Sequence, residues 1–145
     1  MQGELALAVD DRAGAIAAFA EGARLRPHQS LPATLAGLHG AQPPAEEWLD
    51  SRVQRLHGDT LGWPDASLEL ALLEQQRQHP DAALAALHAA VAAGFRDRAW
   101  LAVTPLFEPL RRTPGFAAVL DEIDSDVARQ RAQVEQAAWK PRDLQ

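Results

Sequence analysis

The sequence predicts an all-α chain of three helical hairpins followed by a long C-terminal helix, and three observations carry that expectation. Apolar residues recur at i, i+3, i+4 and i+7 through residues 11–26, 44–57 and 81–93, which is the spacing of one buried helix face. Proline and aspartate stand where helices begin, as in Trp63-Pro64-Asp65 and Gln78-His79-Pro80-Asp81, because proline suits the first helical turn and aspartate caps free amides. Strand signals are nearly missing: β-branched residues are few, no run alternates, and there is no Asn-Gly turn.

Taken in order, a short first helix breaks at Asp10-Asp11-Arg12, and the helix over 11–26 closes at Pro27. The next helix is expected to end near residue 42, ahead of Gln42-Pro43-Pro44, and is followed by the helix over 44–57. A third pair starts at Pro64 and turns at residues 78–81 into the helix over 81–93. Pro105, Pro109 and Pro114 then forbid a long helix. Only short turns are expected there, with Trp100, Leu101, Leu106, Phe107 and Leu110 covering the open side of the third pair. The final helix, over 115–139, carries Phe116, Leu120, Ile123, Val127 and Val134 as one stripe, which must be buried against the body or another chain.

The three pairs share a period. Ala15-x3-Phe19 recurs as Ala83-x3-Leu87, at an offset of twice 34. Steps of 34 from Gly3 reach Gly37 and Ala71, all small, and steps from Phe19 reach Val53 and Leu87, all apolar. The middle unit is looser: Ala15 maps to Leu49, and Pro27 maps to Leu61 and then Phe95. A 34-residue period with small residues at the crossing, A-x3-F and a closing proline resembles the tetratricopeptide repeat. That resemblance implies an α–α superhelix of units 1–29, 30–63 and 64–96, with 97–145 forming short turns and a capping helix. The first unit lacks the family's aromatic near Ala6 and begins partway through its first helix, so the resemblance suggests either part of a longer array or an exposed end that something else covers. Residues 93–97, Trp100-Leu101, 105–110 and 113–116 resemble the segment that closes such arrays in bacterial multidomain regulators. Winged-helix transcriptional regulators and some protein kinases are among these, although this chain carries neither signature.

In tetratricopeptide folds the first helices of successive units line a concave groove. Carried over residue by residue, the resemblance implies groove positions at Glu4, Leu7, Leu38, Gln42, Leu68, Leu72, Gln75 and Gln76. A leucine floor edged with amides suits an amphipathic helix or extended apolar peptide of a partner protein. The competing reading makes Leu38, Leu68 and Leu72 plain helix-packing core. The clamp that holds a terminal carboxylate in chaperone-binding relatives is missing, since the chain has no asparagine and one lysine, Lys140. The expected function is thus a non-enzymatic protein–protein interaction module. The alternative is a sensory or regulatory C-terminal tail of a larger bacterial regulator, its groove filled by its own last helix. Self-association through the first repeat or the last helix is a further expectation.

Bulk properties narrow the remaining classes. Net charge is -6 and pI about 5.3, with arginines dispersed, which argues against a phosphate-binding surface and so against nucleic acid. No cysteine is present, excluding disulfides, thiolate metal sites and cysteine nucleophiles. No signal peptide or membrane-length apolar stretch is evident, and a cytoplasmic location follows as the default. His28, His39, His57, His79 and His88 form no i, i+4 pair and no HExxH motif, so no metal site is expected. The acidic run Asp121, Glu122, Asp124, Asp126 lacks the glycine and closing glutamate of a calcium loop and reads as a solvated helix face. Trp63 and Trp100 read as packing residues at unit junctions, and Trp139 as a frayed end or a partner anchor. Nothing resembles a phosphate loop or nucleophile elbow, so neither catalytic residues nor a cofactor is expected.

Overall fold

A computed structural model of the chain describes residues 2–59 and 63–136, and among them the fold is all-helical. In order come α1 (Gln2–Ala8), α2 (Arg12–Leu25), α3 (Ser30–Leu38), α4 (Glu46–Asp59), α5 (Pro64–Gln76) and α6 (Pro80–Ala92). There follow α7 (Arg98–Val103), a 3-10 turn (Pro105–Phe107), α8 (Glu108–Arg111) and α9 (Pro114–Gln136). The expected start signals operate. The Asp11 carboxylate accepts the Gly14 amide at 2.9 Å, and that of Asp97 accepts the Trp100 amide at 2.9 Å, each satisfying a donor the helix leaves open. Pro64 and Pro80 occupy first-turn positions. Leu61 and Trp139 lie outside the described residues.

The first and third hairpins turn in the same way. Asp10 (φ 58°) and Gln78 (φ 60°) are left-handed and occupy the same place in the register, two periods apart. The next residue's amide reaches back five positions in each case, Asp11 to the Ala6 carbonyl and His79 to the Glu74 carbonyl, both at 2.9 Å. Pro44 occupies the corresponding place in the second pair, and its ring locks φ near -65°. That turn is therefore forbidden. The connection runs instead over residues 39–45, and α3 ends at Leu38 rather than near residue 42, closed by the His39 amide on the Leu35 carbonyl at 3.0 Å.

Small residues one period apart sit at the helix crossings. A Cβ on Gly3 would lie 2.6 Å from the Phe19 ring and one on Gly37 would run into the Trp48 ring, while Ala71 is wholly buried. The second helices differ. In α4, Trp48 and Arg52 stand where α2 has Gly14 and Ala18 and α6 has Ala82 and Ala86. Bulk at these places holds α4 off α3, so the two meet mainly through side chains, whereas α1–α2 and α5–α6 pack backbone close to backbone.

The main core lies around α5 and α6, closed by Leu101, Leu106, Phe107 and Leu110 from residues 98–111 and joined by Ala15 and Phe19 from α2. A smaller cluster sets Leu49, Val53 and Leu56 of α4 around Leu73 of α5. The last helix packs on α6, with Phe116, Val119 and Ile123 inside and Leu120 and Val127 at the edge, while Val134 is exposed. Its acidic run is no merely solvated face. Glu122 pairs with His88 at 2.5 Å, Asp124 with Arg98 at 2.8 Å and Asp126 with Arg96 at 2.6 Å, because α9 lies across α6 and the α6–α7 turn. Trp63, expected in the packing, is 74% exposed.

Candidate functional site

The eight positions implied for the inner groove separate into two groups. Leu68 and Leu72 are buried, and Leu7 and Leu38 pack half-buried on the same core. Residues 98–111 of the chain itself lie on this face. Glu4 accepts the Trp100 indole N–H at 2.7 Å and the Thr104 hydroxyl at 3.0 Å. The Gln75 amide donates to the Leu106 carbonyl at 2.9 Å, and Trp100 stands edge-on to both Phe95 and Phe107. Six of the eight positions thus belong to the interior or its rim. Gln42 lies exposed in the α3–α4 connection and Gln76 exposed at the end of α5. The element covering the face is the α7–α8 segment, not the last helix, which sits on α6. Prolines 105 and 109 make that segment short and bent enough to follow a concave surface.

A groove of about 1110 Å³ runs over α3, walled by α2 and α4. Gln2, Gly3 and Glu4 of α1 (Glu4 being one of the eight implied positions) and the start of α5 also line it. Leu25 (62% exposed) and Trp63 rise on its rim. Arg26 and Arg55 also line it, and neither is ion-paired among the described residues. The groove exists because Trp48 and Arg52 space α4 from α3.

At its floor lies a polar cluster that sequence reasoning missed. One Glu69 oxygen accepts the Thr34 hydroxyl at 2.5 Å, the Ser30 hydroxyl at 2.8 Å and the Arg52 guanidinium at 2.8 Å. Arg52 also donates to the Ser30 carbonyl at 2.8 Å and lies over the Trp48 ring, 5.5 Å from its centre. The side chains of Glu69 and Arg52 are 2% and 11% exposed, so each charge depends on the other. A signal was present: a lone acid inside Leu68-Glu69-Leu70-Ala71-Leu72-Leu73, and an arginine at the register position of Ala18 and Ala86. A second bridge joins the same helices, Arg77 reaching Asp50 at 2.9 Å and Glu74 at 3.1 Å. With one carboxylate oxygen accepting from three donors, Glu69 ties α3 and α4 to α5.

A smaller cleft of about 340 Å³ lies between the end of α1 and α3, lined by Leu7, Arg12, Leu38 and His39. The His39 ring stacks on Phe19, centroids 4.9 Å apart. Burial, and secondarily the nearby Arg12 charge, hold its pKa below the usual histidine value. Among the described residues no three histidine or carboxylate side chains converge as a metal ion requires, and no helix is long and apolar enough to cross a membrane. Comparison with protein-family models, with curated proteins and with solved structures finds no match for this chain.

Proposed function

We propose that the chain is a non-enzymatic protein–protein interaction module of tetratricopeptide-repeat kind, whose inner face holds its own residues 98–111 and whose partner-binding surface is the outer groove over α3. The observation that carries this reading is the contrast between the two faces. The leucines Leu68 and Leu72 are buried in the core that Leu101, Leu106, Phe107 and Leu110 close, while the groove over α3 is open, rimmed by Leu25 and Trp63 and lined by Arg26 and Arg55. Exposed aromatic and arginine side chains beside apolar surface favour binding of another polypeptide. The repeat reading itself draws support from the shared turn of the first and third hairpins and from the small residues at each crossing.

The test is affinity capture from lysate with wild type and with Leu25→Glu/Trp63→Glu, exposed positions whose substitution leaves the core alone, after circular dichroism shows both fold. A protein held by wild type and released by the double variant supports the outer groove. Equal retention by both overturns it. A second reading, the sensory or regulatory tail of a larger bacterial regulator of winged-helix or kinase type, is favoured by the closed inner face. Capture of nothing by either protein favours that reading.

A further inference from the structure

One contact between hairpins is made twice, and a third copy of its receiving surface stands uncovered. His39 of the second unit stacks on Phe19 of α2 at 4.9 Å. Leu73, one period beyond His39, is fully buried in one cluster with Val53 of α4. Phe19 and Val53 are themselves one period apart, so in both places the second helix of one hairpin covers the same position at the first helix of the next. Leu5 occupies that position in the first unit and is 69% exposed. One turn on, Val9 is 68% exposed, and its counterpart Arg77 in the third unit reaches Asp50 of α4 at 2.9 Å. The other side of α1 is already engaged, through Gly3 under Phe19 and Leu7 on the core.

We propose that the face formed by Leu5 of α1 and Val9 in the turn just after it is a docking surface for one amphipathic helix of a partner protein, apolar at i, i+4 and i+7 as α4 is at Leu49, Val53 and Leu56. The contact already present twice in the fold defines that chemistry. Opposite Val9 the partner carries an apolar side chain where α4 has Asp50, because valine replaces the arginine that Asp50 meets. In a second folded copy the helices equivalent to this occupant, α2, α4 and α6, are already covered by α3, α5 and α9. This inference stands on the repeated contact and is independent of the outer groove, so either can fail alone.

The chain has no cysteine, which makes disulfide tethering a clean test. Leu5→Cys is incubated in a glutathione buffer with a synthetic peptide of residues 45–59 carrying Val53→Cys and Asp50→Leu. Leu25→Cys, an equally exposed leucine on α2, serves as the reference. The mixed disulfide at Leu5→Cys is expected to be about tenfold more stable than at Leu25→Cys, the scale of one leucine partly buried. Replacing the peptide's two leucines, Leu49→Gln and Leu56→Gln, removes that advantage. Equal stability at both sites, or indifference to the peptide's leucines, overturns the proposal. A Leu5→Cys protein that mainly forms its own disulfide dimer also overturns it, assigning the face to a second copy.

Discussion

The second hairpin and the third have the same register and opposite physics. Between α5 and α6 the crossing positions are alanines, the turn is left-handed at Gln78, and apolar burial on both sides does the stabilising. Between α3 and α4 the turn is blocked by Pro44, the crossing positions carry Trp48 and Arg52, and the buried pair of Arg52 with Glu69 of α5 ties in Ser30 and Thr34 of α3 by hydrogen bonds. A 34-residue spacing is therefore compatible with two kinds of helix pair: one zipped by small residues, the other wedged open and held through a charged cluster on the next helix. The wedged kind leaves a groove, and it depends on a pair whose value disappears if either member is lost.

This contrast can be broken from either side. The largest effect is expected for Phe107→Ala in the apolar region, where a fully buried ring gives a loss of about 5 kcal/mol in urea unfolding. A loss of about 1 kcal/mol would mean that residues 98–111 are dispensable to the core. Glu69→Ala comes next, at about 3 kcal/mol, since Arg52 is left nearly buried without its carboxylate. Amide exchange should then accelerate over α3 and α4 first, and uniform acceleration through α5 and α6 would show that the two regions are not separable. Gly37→Val drives a side chain into the Trp48 ring and should cost about 2 kcal/mol, with most of it recovered in a Trp48→Ala background. Additive effects in that cycle would refute the wedge.

The smallest expected effect concerns pH. With its folded pKa depressed, His39 is neutral in both states above about 6.5, the ordinary histidine value. Below that the unfolded chain takes up the proton first, so stability falls with falling pH until the folded pKa is passed. Replacing the imidazole by a ring that still stacks on Phe19, His39→Phe, should flatten this part of the pH–stability curve. An unchanged slope would assign the dependence to other groups.

Much of the fold was legible in the sequence because its signals are local. Caps at Asp11, prolines at 64 and 80 and the apolar spacing of α2, α4 and α6 act within one or two turns. The period also placed Gly3, Gly37 and Ala71 at crossings. What stayed hidden involves partners far apart in the chain. The end of α3 depends on Pro44 being unable to adopt the angle that Asp10 and Gln78 adopt, which shows only when turns are compared. The acids of α9 look solvated until His88, Arg96 and Arg98 are brought beside them. Leu68 and Leu72 do face inward, but a helical period cannot tell a floor awaiting a peptide from one covered by a later stretch of the same chain. Glu69 and Arg52 were passed over because a single charge in an apolar helix reads as noise until its counterpart is located.

The two halves of α9 have different claims to being helical. Up to Val127 the helix rests on α6 and its ion pairs, whereas positions 128–136 are exposed throughout. So short a stretch alone in water falls short of what a free helix needs, because starting the first turn is the unfavourable step and adding to an existing one is not. The exposed end is helical because the docked end supplies its nucleus. Its backbone order is consequently a remote gauge of docking: loosening Ile123 from the core should unwind residues that Ile123 never touches.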